Sequence, residues 1–343
     1  MLNKIKWIKA TSIATFTLLI SSVSASALAN EVNIYSYRQT FLIEPILEQF
    51  TAQTGIKTNV VFAKSGLIER LKKDGRYSPA DVVLTSDFAR LMQISDEGLS
   101  QAVSSDILMA NIPSQFRDND NQWFALTKRV RNVYASKERM ANLSGISYED
   151  LAKPQYKNKV CMRSSKHPYN IALVASMIAH HGSAETKTWL QGLKANLARK
   201  PQGNDRGQVK AVKEGECDLA LGNSYYFGVM QQDPEQKKWA DSVNILFPNQ
   251  HDRGAHINVS GIAMTKYAPN KDSAKKLMEF LSSAQAQQVY ASVNMEYPVN
   301  PTVKPSEIVA SWGDFKEDNL AMTKVAENRQ AAIMLLDEVK FDL

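Results

Sequence analysis

Residues 123–135 read WFALTKRVRNVYA, and the reading of that run decides the fold. It is a basic and aromatic stretch with the make-up of an extended segment rather than a helix. Upstream of it, strand and helix signals alternate. Val32–Tyr37 (VNIYSY) reads as a strand, and Pro45–Thr54 has helical spacing, with Pro45 suited to the first turn and Gly55 to the stop. Lys57–Phe62 is a second strand, Gly66–Lys73 a second helix, Asp81–Leu84 a third strand and Phe88–Ile94 a third helix. Downstream the pattern restarts: strand Lys159–Arg163 (KVCMR), helices Tyr169–His180 and Asp205–Glu214, strand Cys217–Leu221 (CDLAL). A second extended piece, His256–Met264 (HINVSGIAM), follows that unit.

Two long segments crossing between two strand–helix units predict an α/β protein of two lobes. Each lobe is expected to be a mainly parallel sheet flanked by helices, with hinge strands near 123–135 and 256–264 joining them. The first lobe takes residues 30–128 and 257–300, and the second takes 129–256 and 301–343. From about Asn270 the chain is helical, with amphipathic spacing over 274–283, 284–292 and 317–339.

The first 29 residues read as a leader. Lys4, Lys6 and Lys9 form a basic start, Thr11–Val23 is mostly apolar, and Ala27-Leu28-Ala29 is a cleavage signature, so the exported chain is expected to begin at Asn30. The formal net charge is +6, and removing the three leader lysines leaves +3, with both signs interspersed. That balance argues against a nucleic-acid or anionic-membrane partner. Roughly 310 residues suffice for two ordinary cores. Export places the two cysteines, Cys161 and Cys217, in an oxidising compartment. They are either one disulfide or two buried thiols, and their spacing is not that of a metal site. No G-x-S-x-G, H-E-x-x-H or Walker motif is present, so an enzyme is not expected.

One stretch remains unexplained by packing alone. GNSYYFG, residues 222–228, sets Tyr225 beside Tyr226 just after a strand. Within a strand the two rings would split between opposite faces; past its end both can turn to one point. The order VNIYSYRQ, SPADVVLT, QWFALTKRVRNVYAS, KVCMRSSKHPYN, GECDLALGNSYYFG, NVSGIAM and EYPVNP resembles the periplasmic ferric-iron-binding proteins of ABC iron transporters over nearly the whole exported chain. The resemblance implies a type II periplasmic binding protein fold and a soluble, monomeric carrier. It would hand Fe³⁺ to an inner-membrane permease and its ATPase. It further implies Tyr169, Tyr225 and Tyr226 as metal ligands. Where some members of the family carry a first-lobe histidine and tyrosine, this chain has Gln39 and Thr40. That departure resembles the subgroup that completes the iron shell with a small anion, usually carbonate.

The chemistry suits the ion. Ferric iron is hard and prefers oxygen donors, and a phenol with an ordinary pKa near 10 is deprotonated by a bound cation. Three phenolates balance the three charges of the metal. Arg38, Gln39 and Arg129 are the expected anion contacts, Arg38 by its planar fork. Tyr37, Ser65 (with Gly66, through helix-start amides) and His167 are further candidates. The competing solutes for such a fold are an oxyanion, a polyamine or an organic acid. His180-His181 is expected to close its helix before Gly182, and His251 and His256 are given no role.

Overall fold

The computed structural model describes residues 30–343; the leader expected over 1–29 lies outside them. The first half runs β1 (Glu31–Ser36), α1 (Thr40–Thr54), β2 (Lys57–Phe62), α2 (Leu67–Asp74), β3 (Val82–Thr85), α3 (Phe88–Asp96), α4 (Asp106–Asn111) and β4 (Phe124–Ser136). Then follow β5 (Val160–Cys161), α5 (Pro168–Ala195), α6 (Asp205–Lys213), β6 (Leu219–Asn223), α7 (Tyr225–Gln232), α8 (Lys237–Ala240), β7 (Val243–Leu246) and β8 (Ile257–Met264). The chain closes with α9 (Lys271–Ser282), α10 (Ala284–Val293), β9 (Tyr297–Pro298), α11 (Glu307–Ala310), α12 (Met322–Glu327) and α13 (Arg329–Glu338).

The run quoted first is the 13-residue strand β4, and it belongs to both halves of the molecule. From Phe124 to Val130 it pairs antiparallel with β8; from Arg131 to Ala135 it pairs antiparallel with β6. The change of partner falls between Val130 and Arg131, where the Arg131 amide makes its bond to the His256 carbonyl at 3.0 Å. The strand path is β2-β1-β3-β8-β4-β6-β5, with β7 and β9 also on β4. β2, β1 and β3 are parallel, as helical crossovers require. The second lobe departs from a mainly parallel sheet: β5 and β6 are parallel, while β4 meets β6 and β7 antiparallel. A strand entering from the other lobe has no crossover helix to orient it, so its direction is set by where it comes from.

Burial follows the pairing. β3, flanked on both sides, is buried at all four residues, whereas edge strand β2 is largely exposed. One core gathers β1, β3, β8, α1, α3, α9, α10 and the first half of β4. Past Val130 the strand alternates in the manner of a two-faced sheet. Val133 and Ala135 pack toward α5 and α13, and Tyr134 packs on the opposite face with α6 and α7.

Two helix expectations are corrected and one holds. α1 starts at Thr40, so Pro45 lies inside it and not in its first turn. Coming early in the helix, Pro45 forfeits one main-chain bond, to the Phe41 carbonyl, and the helix continues. The helix from Tyr169 closes at His181 as expected: Gly182, at φ 77° and ψ 166°, is not helical, and a second helix runs on from it to Ala195. His180 and His181, at that close, pair with carboxylates, Asp318 at 2.8 Å and Glu149 at 2.7 Å. The 317–339 helix is two, α12 and α13, separated at Asn328.

Candidate metal centre

Strand β6 ends at Asn223 and helix α7 begins at Tyr225, with Ser224 as the single joint. That joint is fixed to the crossing strand: the Ser224 amide donates to the Val130 carbonyl at 2.9 Å, and the Val130 amide donates to the Ser224 hydroxyl at 3.2 Å. Gly222, just before, has no side chain because the ring of Tyr134 occupies the place a Cβ would take. Tyr225 and Tyr226 are therefore the first two residues of a helix, free of strand alternation. Their rings lie 4.1 Å apart at 32°.

Tyr169 arrives from a separate element, in the first turn of α5 directly after Pro168. Its hydroxyl stands 3.4 Å from that of Tyr225. Oxygens at that separation can both reach one small hard cation, whose bonds are about 2.1 Å long. All three phenols sit at helix N-termini, where the helix dipole favours a negative oxygen. Burial, reinforced by Tyr169 and Tyr226, pushes the Tyr225 phenol well above its ordinary pKa, with Arg129 opposing. Burial likewise pushes Tyr226 up to about 12, with Tyr169 and Asp205 adding to the rise. Without a cation the cluster therefore holds its protons, and a cation must displace them to bind. Among the described residues no group of three His, Cys, Asp or Glu side chains is placed to hold a metal.

Behind the phenols lies a buried ion network that the sequence did not reveal. Arg131 donates from Nη1 to Asp205 Oδ2 at 2.8 Å and to Asn223 Oδ1 at 3.1 Å, and from Nη2 to Asn170 Oδ1 at 2.6 Å. Asp205, fully buried, also accepts from the Asn223 amide at 2.9 Å and from Arg163 Nη1 at 3.2 Å. Asn170 adjoins Tyr169, and Asn223 leads into Tyr225. One carboxylate thus ties the crossing strand to both tyrosine-bearing turns. Cys161 and Cys217 are joined by a disulfide, with Cα atoms 5.9 Å apart. It ties β5 to the start of β6, the neighbouring strands from which the two turns issue.

The remaining candidates are arranged differently. Arg38, buried, forks onto Glu296 with Nη2–Oε2 at 2.8 Å and Nη1–Oε1 at 3.3 Å. Arg129 Nη1 lies 3.6 Å from the same carboxylate, its Nη2 donates to the Ser86 carbonyl, and its guanidinium stands 5.8 Å and 6.0 Å from the Tyr169 and Tyr225 rings. The Nε of each arginine is buried without a protein partner. Gln39 is exposed at the N-cap of α1 and makes no side-chain cap bond. The Tyr37 hydroxyl is engaged, accepting from the Ile68 amide at 2.9 Å, and Arg90 lies over its ring at 4.2 Å. Ser65 is exposed and shares a cavity of about 420 Å³ with Tyr37, Gly66, Arg90 and Pro168. His167 caps α5: its Nδ1 accepts from the Tyr169 amide at 3.3 Å, and its ring sits edge-on to Tyr169 at 4.4 Å. Burial, aided by Arg163, lowers its pKa to about 3, so it is a neutral cap.

Residues 62–313 match a family model described as bacterial extracellular solute-binding protein. Iron uptake protein A1 of Synechocystis sp. is 43% identical over 311 residues, covering 90% of this chain and 86% of that one. The crystal structure of the Pasteurella haemolytica apo ferric ion-binding protein A superposes with a TM-score of 0.88 at 54% identity, over 92% of this chain and 99% of that one. A Trichodesmium protein solved in complex with iron and citrate superposes at 0.86 with 38% identity, over 91% and 99%.

Proposed function

The chain belongs to the bacterial extracellular solute-binding protein family, and from that premise we propose that it captures ferric iron between its two lobes. The observation that carries this reading is the meeting of the Tyr169 and Tyr225 hydroxyls at two helix N-termini, with the Tyr226 ring stacked on Tyr225 and arginines behind. Tyr169, Tyr225 and Tyr226 each give up a proton to the incoming cation, and their three negative charges match its three positive ones. A small anion, carbonate in the first instance, completes the shell and is held by Arg38, Arg129 and Gln39. The named ligands of the Trichodesmium relative, iron and citrate, support an anion beside the metal.

The lobes, residues 30–128 with 257–300 and 129–256 with 301–343, close about β4 and β8 and exclude water, which strengthens every charge interaction inside. The loaded form is then delivered in the periplasm to an ABC permease and its ATPase. The protein acts as a monomeric carrier and not as an enzyme. Thermal unfolding with added solutes tests the reading against its competitors. Ferric salt with bicarbonate should raise Tm, while phosphate, spermidine and iron-free citrate leave it unchanged. Stabilisation by one of those three, with none from ferric iron, overturns it.

A further inference from the structure

Glu296 is neither a ligand nor an anion donor in the proposed site, yet its surroundings are unusual. It is a carboxylate with 3% exposure, within the EYPVNP stretch that leads into β9. The residue before it, Met295, has φ 55°, a left-handed conformation that an ordinary side chain disfavours. Such strain persists where the surrounding structure imposes it, often beside a functional site. Here the turn at Met295 delivers Glu296 onto Arg38 and within 3.6 Å of Arg129. It also seats Met295 against α7: a Cβ on Gly228 would lie 2.5 Å from Met295 Cγ. The strained turn therefore touches the helix that carries Tyr225 and Tyr226.

The two guanidiniums that Glu296 engages are the two charges best placed to hold an anion beside the phenols. A fixed carboxylate there has two effects on any anion that approaches them. It withdraws part of their hydrogen-bonding capacity, leaving the unpartnered Nε groups. It also repels the newcomer in proportion to the newcomer's charge. We propose that Glu296 is a specificity-determining residue that limits the charge of the companion anion, favouring small anions of low charge over polycarboxylates. The proposal rests on the ferric reading above and adds to it which anions the first lobe admits. At about 6 Å and an intermediate dielectric, one unit charge changes the affinity of an anion about tenfold per unit of anion charge.

The test uses the full exported chain loaded with ferric iron and titrated with bicarbonate, oxalate or citrate. The readout is the visible phenolate-to-iron band, and each anion gives a half-saturating concentration. In Glu296→Gln the citrate-to-bicarbonate affinity ratio should rise about tenfold, with oxalate tracking bicarbonate, because the gain grows with the charge of the bound anion, two for carbonate and oxalate and three for citrate. Glu296→Asp retracts the carboxylate by one methylene and should move the ratio the same way by about threefold. It decides the matter if the glutamine variant does not fold. A ratio unchanged from wild type, or one equal gain for all three anions, overturns the proposal, since a purely structural role would not sort anions by charge. A wild-type protein that shows no band with ferric iron and any of the anions would instead sink the ferric reading itself.

Discussion

The two halves of the site are built on opposite plans. The second-lobe half commits its donors: three phenols at helix starts, a buried Arg131–Asp205 pair behind them and a disulfide beneath. The first-lobe half commits none. Arg38, together with Arg129 of the crossing strand, is occupied with Glu296, Gln39 is exposed, and the Tyr37 hydroxyl is bonded to α2. On the proposed reading, metal binding belongs to the second-lobe surface, and the facing surface supplies charge. A carrier arranged in this way can load on one lobe and close afterwards.

Substitution of one residue on each side tests that division most strongly. Tyr225→Phe should lower ferric affinity at least about a thousandfold, beyond the 10–100-fold typical of changes outside the ligand shell. Arg38→Ala should lower it about tenfold and be restored by added bicarbonate. Competition against a calibrated chelator measures both, and comparable losses would erase the contrast.

The disulfide offers the next contrast, because it lies on one side only. It closes a loop of 56 residues, which in the chain-entropy limit is worth about 4 kcal/mol. Reduction, or a Cys161→Ser and Cys217→Ser double variant, should lower the denaturant midpoint by a corresponding amount. Hydrogen exchange should then quicken in β5 and β6 and hardly change in β1 and β3. Uniform quickening would contradict a lobe-specific staple.

Asp205→Asn sharpens the comparison within the second lobe. It leaves Arg131 and Arg163 without their shared anion, and ferric affinity should fall about 10–100-fold through misplaced phenols. The visible band should shift without disappearing, since no ligand is lost. Outright loss of the band would make Asp205 a ligand in its own right.

The smallest effect belongs to the crossing point between the halves. Burial, with Arg131 and Arg253 adding to it and Asp318 opposing, lowers the buried His256 to about 4. Its unfolded value is near 6.5, so between those values the unfolded chain binds the additional proton. The stability held by neutral His256 is complete above about pH 6.5 and is lost as pH falls toward 4, at no more than about 1.4 kcal/mol per pH unit. His256→Gln should flatten the fall of Tm over that range, and an unaltered slope would place the acid sensitivity elsewhere.

The legible and illegible parts of the molecule divide by sequence distance. The tyrosine pair could be read because strand end, joint and helix start are consecutive residues, and the crossing strand could be read because β4 is one unbroken run. Glu296 meets Arg38 across 258 residues and Asp205 meets Arg131 across 74, and no local pattern foretells such pairings. The punctuation residues were read unequally well. Gly182 ends its helix as its left-handed φ requires, whereas Pro45 stands inside a helix that had already begun. Near a helix start a proline forfeits little, so packing and not the proline sets where α1 begins.

The most direct test of the central claim is the visible absorption of the ferric-loaded protein beside its Tyr169→Phe, Tyr225→Phe and Tyr226→Phe variants. Three phenolates on one iron predict a charge-transfer band in the wild type that shifts or vanishes in every variant, each still folded by circular dichroism. A wild-type band that survives unchanged in all three would contradict the account.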